Sequence, residues 1–287
     1  MLAVSEFVSA LISSQSQLSK LLTNVMTDGD ERGQRALTAR FVASVMVPEA
    51  AEVGRLQAAL DALLAQPDAL VAVFQPLVHL TTGTTIAYEG LTRFPASFEL
   101  TPTQWFSAAR RVGQGVALEH AALRTILAAA RSIPGERPVA VNLSPSAALE
   151  PMIHDVLSAE DRALIIEITE HEPFPDELAV GLKSLRSRGI EVAVDDAGAG
   201  YASFAQLLRL RPDVIKIDGE LIAGIDDDPA KRALATALTS LASELDAKLV
   251  AESVETASQL DTLVQLGIEY GQGFHLGRPQ PAPTLIG

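Results

Sequence analysis

Four separate apolar, β-favouring segments of this chain each run up to an acidic or amide residue. They end on Glu89, Asn142, Glu167 and Asp195. Buried parallel strands read as continuous apolar runs, and in (β/α)8 barrels the chemistry lies where those strands end. Oxygen donors collected at that face suit a hard divalent cation such as Mg2+ or Mn2+. The pattern therefore predicts a barrel that holds a metal.

From about Val71 onward, β-like runs alternate with amphipathic helical stretches, which indicates βα units and a mostly parallel sheet. The runs at 71–78 and 85–89 depart from this order, because the turn between them is too short for a helix and makes an antiparallel hairpin. Further strands are predicted at 138–142, 164–168, 190–195, 214–217, 248–252 and near Tyr270, with helices that include 105–112, 118–130, 176–188, 204–210 and 231–245. The fold class is α/β: a modified (β/α)8 TIM-like barrel with an antiparallel first strand, plus an N-terminal helical segment.

The N-terminal part of the chain has helical periodicity and no residues of catalytic character. Apolar residues recur at helical spacing over 2–26, then in a second stretch that ends near Val45, and in a third over 49–64. We predict a helical region over 1–68, with a regulatory or dimerisation role, and a catalytic domain over 69–287. Packing on the main domain, self-association and a remnant of a sensory domain are the alternatives for the helices.

Length and composition limit the class of protein. A chain of 287 residues, 48% of them apolar, can form one barrel of roughly 250 residues with a small region left over. A net charge of −14 argues against binding to a nucleic-acid polymer, and no cysteine is present for disulfides or thiolate chemistry. The first residues lack a basic n-region and no apolar run is long enough to span a membrane, so we expect a cytoplasmic protein.

Two adjacent carboxylates, Asp195 and Asp196, follow the fifth predicted strand. Such a pair repels unless cations lie between the two groups. Two divalent ions about 3.5–4 Å apart can clamp the attacking and leaving oxygens of a phosphoryl displacement. The alternative is a helix N-cap, because aspartate before glycine is common in βα loops.

Lys216 lies inside an otherwise apolar strand. Burial of an ammonium is costly without a carboxylate or phosphate partner, and a central lysine could orient water, neutralise developing charge or form a Schiff base. The alternative is a surface lysine on an edge strand. Glu252 repeats the pattern of a strand followed by a carboxylate, and Gln272 lies between two glycines, so either could face a substrate.

Eight short motifs occur in order between residues 70 and 285 and together resemble those of EAL-domain cyclic di-GMP phosphodiesterases. They are Gln75-Pro76, Tyr88-Glu89-Gly90-Leu91-Thr92-Arg93, Val141-Asn142-Leu143-Ser144, Glu167-Ile168-Thr169-Glu170, Asp195-Asp196, Lys216-Ile217-Asp218, Ala251-Glu252-Ser253-Val254-Glu255 and Gln272-Gly273. Any one of these motifs is weak, but eight in order make chance agreement improbable.

The resemblance implies hydrolysis of cyclic di-GMP to linear pGpG by a metal-activated water, with Mg2+ or Mn2+ as two bound ions. The implied roles fall into three groups: Glu89, Asn142, Glu167, Asp195 and Asp196 as metal ligands; Lys216, Glu252, Gln272 and Glu170 as catalytic or supporting residues; and Gln75, Arg93 and Asp218 as substrate contacts. The resemblance also implies a homodimer.

Three positions depart from the family pattern, and a fourth, Ala199, carries one of the two residues usual at its place. Gly90 stands where the signature has alanine, Ala197 where phenylalanine is usual, Ala199 where threonine or alanine is usual, and Ser253 where glycine is common. None of these changes removes a charged ligand, so the resemblance still implies an active enzyme. The alternatives are a cyclic di-GMP receptor that signals through its N-terminal helices without hydrolysis, and an unrelated metal-dependent or Schiff-base aldolase with Lys216 as nucleophile.

Overall fold

Eight strands close into one barrel in the order β1 to β8. The computed structural model describes residues 47–66, 68–95, 100–169, 174–197 and 204–282. The strands are β1 (Val71–His79), β2 (Thr85–Arg93), β3 (Val139–Leu143), β4 (Leu164–Ile168), β5 (Glu191–Ala197), β6 (Val214–Ile217), β7 (Lys248–Ala251) and β8 (Tyr270–Gly271). β1 runs antiparallel to β2 and to β8, and every other neighbouring pair is parallel. The predicted fold, including the antiparallel first strand, is confirmed.

The described helices are α1 (Val47–Leu64), α2 (Pro102–Arg111), α3 (Gly115–Ala130), α4 (Pro151–Ser158), α5 (Leu178–Gly181), α6 (Lys183–Arg186), α7 (Phe204–Leu210), α8 (Gly219–Ile222), α9 (Pro229–Glu244) and α10 (Ala257–Gln265). The single helix predicted over 176–188 is instead the pair α5 and α6, which meet at Leu182. Helices α4, α8 and α10 were not among the predictions.

The N-terminal prediction is only partly open to comparison. Helix α1 matches the third predicted helix, whereas the two earlier helices lie outside the described residues. The chain divides into two compact units between Ala62 and Leu63. No helix within the described ranges is long and apolar enough to cross a membrane.

The turn between β1 and β2 is tight, as its sequence predicts. The backbone N–H of His79 donates to Thr84 O at 2.9 Å, and Gly83 adopts a φ of 68°. Glycine reaches this left-handed conformation without the steric cost that a side chain adds. β2 does not stop at Glu89, as its apolar run predicted. It continues to Arg93, because its partner β1 supplies hydrogen-bonding residues back to Val71.

Alternation along each strand separates the barrel interior from the helix-facing exterior. Val139, Val141 and Leu143 of β3 pack in a cluster with Leu123 and Ile126 of α3. Residues of the opposite parity form a separate interior cluster, with one member from each of seven strands, namely Leu77, Ala87, Ala140, Ile165, Ala193, Val214 and Val250. We call these seven residues the apolar layer. Tyr270 of β8 packs against them.

Candidate active site

Two residues along the strands from the apolar layer, the barrel interior becomes polar. Six strands contribute one residue each, and the residues directly after β7 and β8 add two more. Each lies two positions from an apolar-layer residue or, for β8, from Tyr270, toward the C-terminal end of the parallel strands. These residues are Gln75, Glu89, Asn142, Glu167, Asp195, Lys216, Glu252 and Gln272, and we call them the polar layer. Because β1 is antiparallel, Gln75 precedes its apolar partner Leu77 instead of following it.

Strand pairing sets the positions of the polar layer. Asn142 is level with Glu167 across β3 and β4, and Gln75 is level with Glu89 across β1 and β2. Glu252 lies one residue past β7, where its backbone N–H still donates to Ile217 O at 3.2 Å. The fold therefore brings together eight of the twelve residues that the sequence predicted for the site.

Lys216 is at the centre of this layer and is only 1% exposed. Its Nζ lies 2.5 Å from Glu252 Oε1, 2.8 Å from Glu167 Oε2, 3.0 Å from Asp195 Oδ1 and 3.9 Å from Glu89 Oε1. An ammonium can be buried at this depth because four carboxylates surround it. The lysine is therefore buried inside the barrel and is not a surface lysine on an edge strand.

The crowding of acids changes the proton affinity of the site. Burial raises the pKa of Glu252 to about 8, although Lys216 opposes the shift. Burial also raises the pKa of Glu167 well above its usual range, again against Lys216 and with Glu89 and Asp195 adding to it. Burial alone would lower the pKa of Lys216, but the carboxylates, with Asp195 first, hold it well above its usual range.

These pKa shifts bear on the Schiff-base alternative. A lysine nucleophile needs a neutral amine, which enzymes obtain by lowering the lysine pKa. Lys216 has the opposite environment, because its ammonium is stabilised by carboxylates on several sides. The geometry argues against an aldolase that works through this residue.

Two amides donate to the Glu89 carboxylate, and a third, that of Gln75, is joined to it through Gln272. Asn142 Nδ2 donates to Glu89 Oε1 at 2.7 Å, and Gln272 Nε2 donates to Glu89 Oε2 at 2.5 Å. Gln272 Nε2 also donates to Gln75 Oε1 at 3.0 Å, and Gln75 Nε2 donates to Gly277 O at 3.0 Å. Both oxygens of Glu89 are thus fixed by neutral donors, while its charge faces the centre of the barrel.

The donor chemistry of the polar layer fits a hard divalent cation. Four carboxylates face a single ammonium, so the formal charge is strongly negative. Within the polar layer, Gln272 Oε1 is buried without a hydrogen-bond partner among the described residues, and the buried Asp195 Oδ1 has the ion pair with Lys216 Nζ at 3.0 Å. The four carboxylates point at Lys216. Among the described residues, no three acidic or histidine side chains are arranged so that they could hold a metal ion together. Metal binding would therefore require some of the carboxylates to turn away from the ammonium.

Two adjoining cavities open on this layer. One, of about 250 Å³, is lined by Gln75, Glu89, Glu252, Gln272 and Phe274 among others. The other, of about 240 Å³, is lined by Arg93, Phe106, Glu119 and Ile126 among others. Leu91, Asn142 and Asp195 belong to the walls of both. The pair offers space for a ligand much larger than a single phosphate.

The remaining predicted residues are placed differently. Arg93 ends β2 with an exposed side chain beside the second cavity. Asp218 instead caps α8, where its carboxylate accepts the backbone N–H of Glu220, so its assignment to substrate stays a prediction. Asp196 lies in β5 with its side chain outside the description, and Glu170 lies outside the described residues.

Glu119 is a residue near the site that the sequence analysis missed. Its buried carboxylate accepts the backbone N–H of Ser144 at 2.7 Å, which holds the loop that follows Asn142. A glutamate on the inner face of an apolar helix is the signal that could have identified it.

Two of the departures from the family pattern have a structural account. A Cβ on Gly90 would lie 2.3 Å from Ile126 Cγ2, so the isoleucine methyl occupies the space that an alanine side chain would take. Ser253 has a φ of 52°, a left-handed conformation that glycine adopts at lower cost. Ala197 lies in β5 with its side chain outside the description, and Ala199 lies outside the described residues.

Comparison with known proteins decides the family. The EAL domain model matches residues 55–279. The chain belongs to the EAL domain family. Among curated relatives, it is 34% identical over 232 residues to the bifunctional diguanylate cyclase/cyclic di-GMP phosphodiesterase MucR of Pseudomonas aeruginosa, which covers 76% of this chain and 34% of MucR. It is 29% identical over 232 residues to the probable cyclic di-GMP phosphodiesterase PdeG of Escherichia coli, covering 76% of this chain and 46% of PdeG. The chain thus spans less than half the length of these relatives.

Solved structures of EAL proteins have the same fold. The MucR phosphodiesterase in complex with cyclic di-GMP superposes with a TM-score of 0.70 at 30% identity, covering 81% of this chain and 100% of that one. A manganese and cyclic di-GMP complex of BlrP1 from Klebsiella pneumoniae gives a TM-score of 0.66 at 30% identity, covering 74% of this chain and 56% of that one.

Proposed function

We propose that this EAL chain hydrolyses cyclic di-GMP to linear pGpG with the help of divalent cations, Mg2+ or Mn2+, bound as two ions. The observation that carries the proposal is the polar layer, in which four carboxylates and one buried ammonium meet at the C-terminal face of a barrel. The relatives named for cyclic di-GMP chemistry support the choice of substrate.

Glu89, Asn142, Glu167 and Asp195 would hold the cations, with Asp196 serving the second ion. Bound cations would lower the pKa of a coordinated water and offset the charge of the phosphate. Glu170 would anchor the loop that follows Asp195, as an outer partner whose loss weakens metal binding.

The protein groups around the reacting phosphate have separate tasks. Glu252 would accept a proton from the attacking water, and a pKa of about 8 suits a base that works near neutral pH. Lys216 would orient the water and stabilise the negative charge that develops on the phosphate oxygens. The water oxygen forms a bond to phosphorus and the P–O3′ bond breaks. O3′ takes up a proton from solvent to become the 3′-hydroxyl, and the phosphate stays on the 5′ side to give pGpG.

The substrate would lie across the two cavities. Arg93, at the rim of one cavity, can offer a bidentate guanidinium to a phosphate. Gln75 and Asp218 are the other substrate contacts that the sequence predicts, and Gln272 would lie beside the water or the cations. The carboxylates of the polar layer would repel the phosphates of the substrate unless bound cations reversed the local sign of charge.

Further proposals concern the assembly. We propose a regulatory or dimerisation role for residues 1–68 and a catalytic role for 69–287, with the protein acting in the cytoplasm as a homodimer. Light scattering at micromolar concentration tests the dimer, and a monomer there would contradict it.

Turnover tests the main proposal. Cyclic di-GMP is incubated with the protein in Mn2+ and in Ca2+, and products are separated by chromatography over time. The matched variants are Glu89→Gln in the polar layer and Glu191→Gln, whose carboxylate pairs with Lys248 at the opposite end of the barrel. We expect pGpG from the native protein and from Glu191→Gln in Mn2+, and at least ~10²-fold less from Glu89→Gln. Intact nucleotide that co-elutes with the native protein in both metals would make the chain a receptor instead.

A further inference from the structure

The amide of Gln75 joins the polar layer to the last described segment of the chain. That segment, residues 276–282, follows the eighth strand and returns along β1; we call it the closing segment. Its backbone pairs with β1 through Phe74, whose N–H donates to Gln280 O at 2.7 Å and whose O accepts from Gln280 N at 2.9 Å. The Gly277 carbonyl of this segment accepts the Gln75 Nε2 hydrogen bond at 3.0 Å.

That carbonyl fixes the polarity of the amide chain. A backbone carbonyl can only accept, so Gln75 must present its NH2 group to Gly277 and its Oε1 to the other side. Oε1 in turn requires a donor, and Gln272 Nε2 supplies it at 3.0 Å. The same Nε2 donates its second proton to Glu89 Oε2 at 2.5 Å. Both protons of the Gln272 amide are therefore used.

The consequence is a free acceptor at a defined place. Gln272 Oε1 is buried and has no hydrogen-bond partner among the described residues. A buried amide oxygen without a hydrogen-bond partner is costly in free energy. Rotation of the Gln272 amide would avoid that cost, but the two acceptors that bind its NH2 group prevent the rotation. Its side chain lines the same cavity as Glu89 and Glu252.

We propose that Gln75 is a positioning residue that acts through Gln272 rather than a substrate contact. Anchored on the Gly277 carbonyl, Gln75 holds the Gln272 amide so that its NH2 group fixes Glu89 and its oxygen faces the site as an acceptor. The chemistry that would use such an oxygen is a divalent cation or a water that donates a proton. The inference rests on the proposed function for the identity of that ligand, but not for the geometry of the amides.

The test is a double-mutant cycle on Gln75→Met and Gln272→Met, which remove the amides with little change in side-chain volume. Mn2+ affinity is measured by calorimetry on protein without nucleotide, cyclic di-GMP affinity at saturating Ca2+, and kcat in Mn2+. Loss of an outer hydrogen-bond partner of a metal site typically costs 10–100-fold in metal affinity or activity. We expect Gln75→Met to weaken Mn2+ binding and kcat by about 10-fold, with nucleotide affinity changed by less than about twofold.

Non-additivity is the decisive result. If Gln75 acts through Gln272, the double variant is no weaker in Mn2+ binding than Gln272→Met alone. Additive losses of Mn2+ affinity would show that Gln75 acts independently of Gln272. A Gln75→Met variant that loses nucleotide affinity while it keeps its Mn2+ affinity would make Gln75 a direct substrate contact. Either result would overturn the inference. Because the Mn2+ titration needs no nucleotide, it still tests the amide chain if the protein proves unable to cleave cyclic di-GMP.

Two further variants serve as controls for misfolding and for a general disturbance of the closing segment. Gln75→Asn keeps a polar amide but is one methylene too short to join Gly277 to Gln272, so it should behave like Gln75→Met in all three measurements. Gln280→Ala alters an exposed side chain of the closing segment while leaving its backbone pair with Phe74 in place, and should behave like the native protein. A Gln280→Ala variant that matched Gln75→Met would assign the effect to the segment and not to the amide chain.

Discussion

Lys216 Nζ lies 2.5 Å from Glu252 Oε1, at a depth where burial raises the pKa of that carboxyl to about 8. The base proposed for the attacking water is thus hydrogen-bonded to the cation proposed to orient it. Glu167, at 2.8 Å on the same ammonium, is 1% exposed. Removal of the lysine would leave both acids without their cationic partner, so we expect its loss to lower both stability and turnover.

Lys216→Met should therefore lose turnover by at least ~10²-fold and also destabilise the metal-free protein. Loss of one partner from a buried ion pair costs about 3–5 kcal/mol. Urea unfolding in EDTA at pH 8 measures the cost. A variant with native stability in EDTA would show that the carboxylates do not depend on this ammonium.

The stability of the Lys216→Met variant should depend strongly on pH. Burial raises the pKa of Glu167 and Glu252 above their unfolded values, so the folded state binds more protons and stability is lost as pH rises through about 8. Without Lys216 the two acids can still be accommodated in their protonated forms. We expect the stability deficit of Lys216→Met to shrink between pH 8 and pH 5, and a constant deficit would contradict this reasoning.

Mn2+ binding to the native protein should strengthen with pH. Carboxylate ligands bind metal in their ionised form, so binding releases protons from groups whose pKa is raised. With Glu252 at about 8, we expect tighter Mn2+ binding at pH 8 than at pH 6, and proton release detectable as a buffer-dependent calorimetric heat. A pH-independent affinity would place the metal away from these acids.

Gly90→Ala restores the residue that the family signature has but should destabilise this chain. Its Cβ would lie 2.3 Å from Ile126 Cγ2, and overpacking of this kind costs about 1–3 kcal/mol. Ile126→Leu removes the methyl on Cβ and should recover part of the loss in the double variant. Thermal unfolding of the four proteins gives the coupling energy, and additive effects would show that the two residues do not compete for space.

Ser253 and Gly219 make a similar pair next to the proposed base. A Cβ on Gly219 would lie 2.5 Å from Ser253 Oγ and 2.7 Å from Ser253 Cβ. Gly219→Ala should cost about 1–3 kcal/mol, while Ser253→Gly removes the obstructing side chain from a backbone position with a φ of 52°. We expect the double variant to be more stable than Gly219→Ala, and urea unfolding in EDTA tests it. Equal stability of those two variants would refute the contact.

Much of the barrel could be predicted because its interior strands are short, apolar and bounded by polar residues. β4 and β6 have the predicted bounds, and the rule that successive residues face opposite sides places Glu167 and Lys216 in the interior once Ile165 and Val214 are known to be there. β2 was predicted too short. Its last residues are held in the strand by pairing with β1, and the apolar run of β2 itself gives no sign of that pairing.

The parts that could not be predicted depend on contacts between distant segments. The Gln75 amide meets Gly277 and Gln272, which are about two hundred positions away in the sequence, so local pattern gives no sign of the chain of amides. A single glycine inside a helical pattern is often tolerated, so Gly181, which ends α5 directly before Leu182, does not by itself predict the break between α5 and α6. α10, in contrast, begins with a Thr256–Gln259 capping box, a signal that could have been read.

A count of the Mn2+ ions bound per chain is the most direct test of the proposed metal site. Electron paramagnetic resonance measures it during a Mn2+ titration in the presence of cyclic di-GMP. The native protein and Glu191→Gln should bind two ions saturably. Glu89→Gln and Asp195→Asn should bind at least ~10-fold more weakly. No saturable binding, or native affinity in both polar-layer variants, would contradict the claim that this layer is a metal-dependent catalytic site.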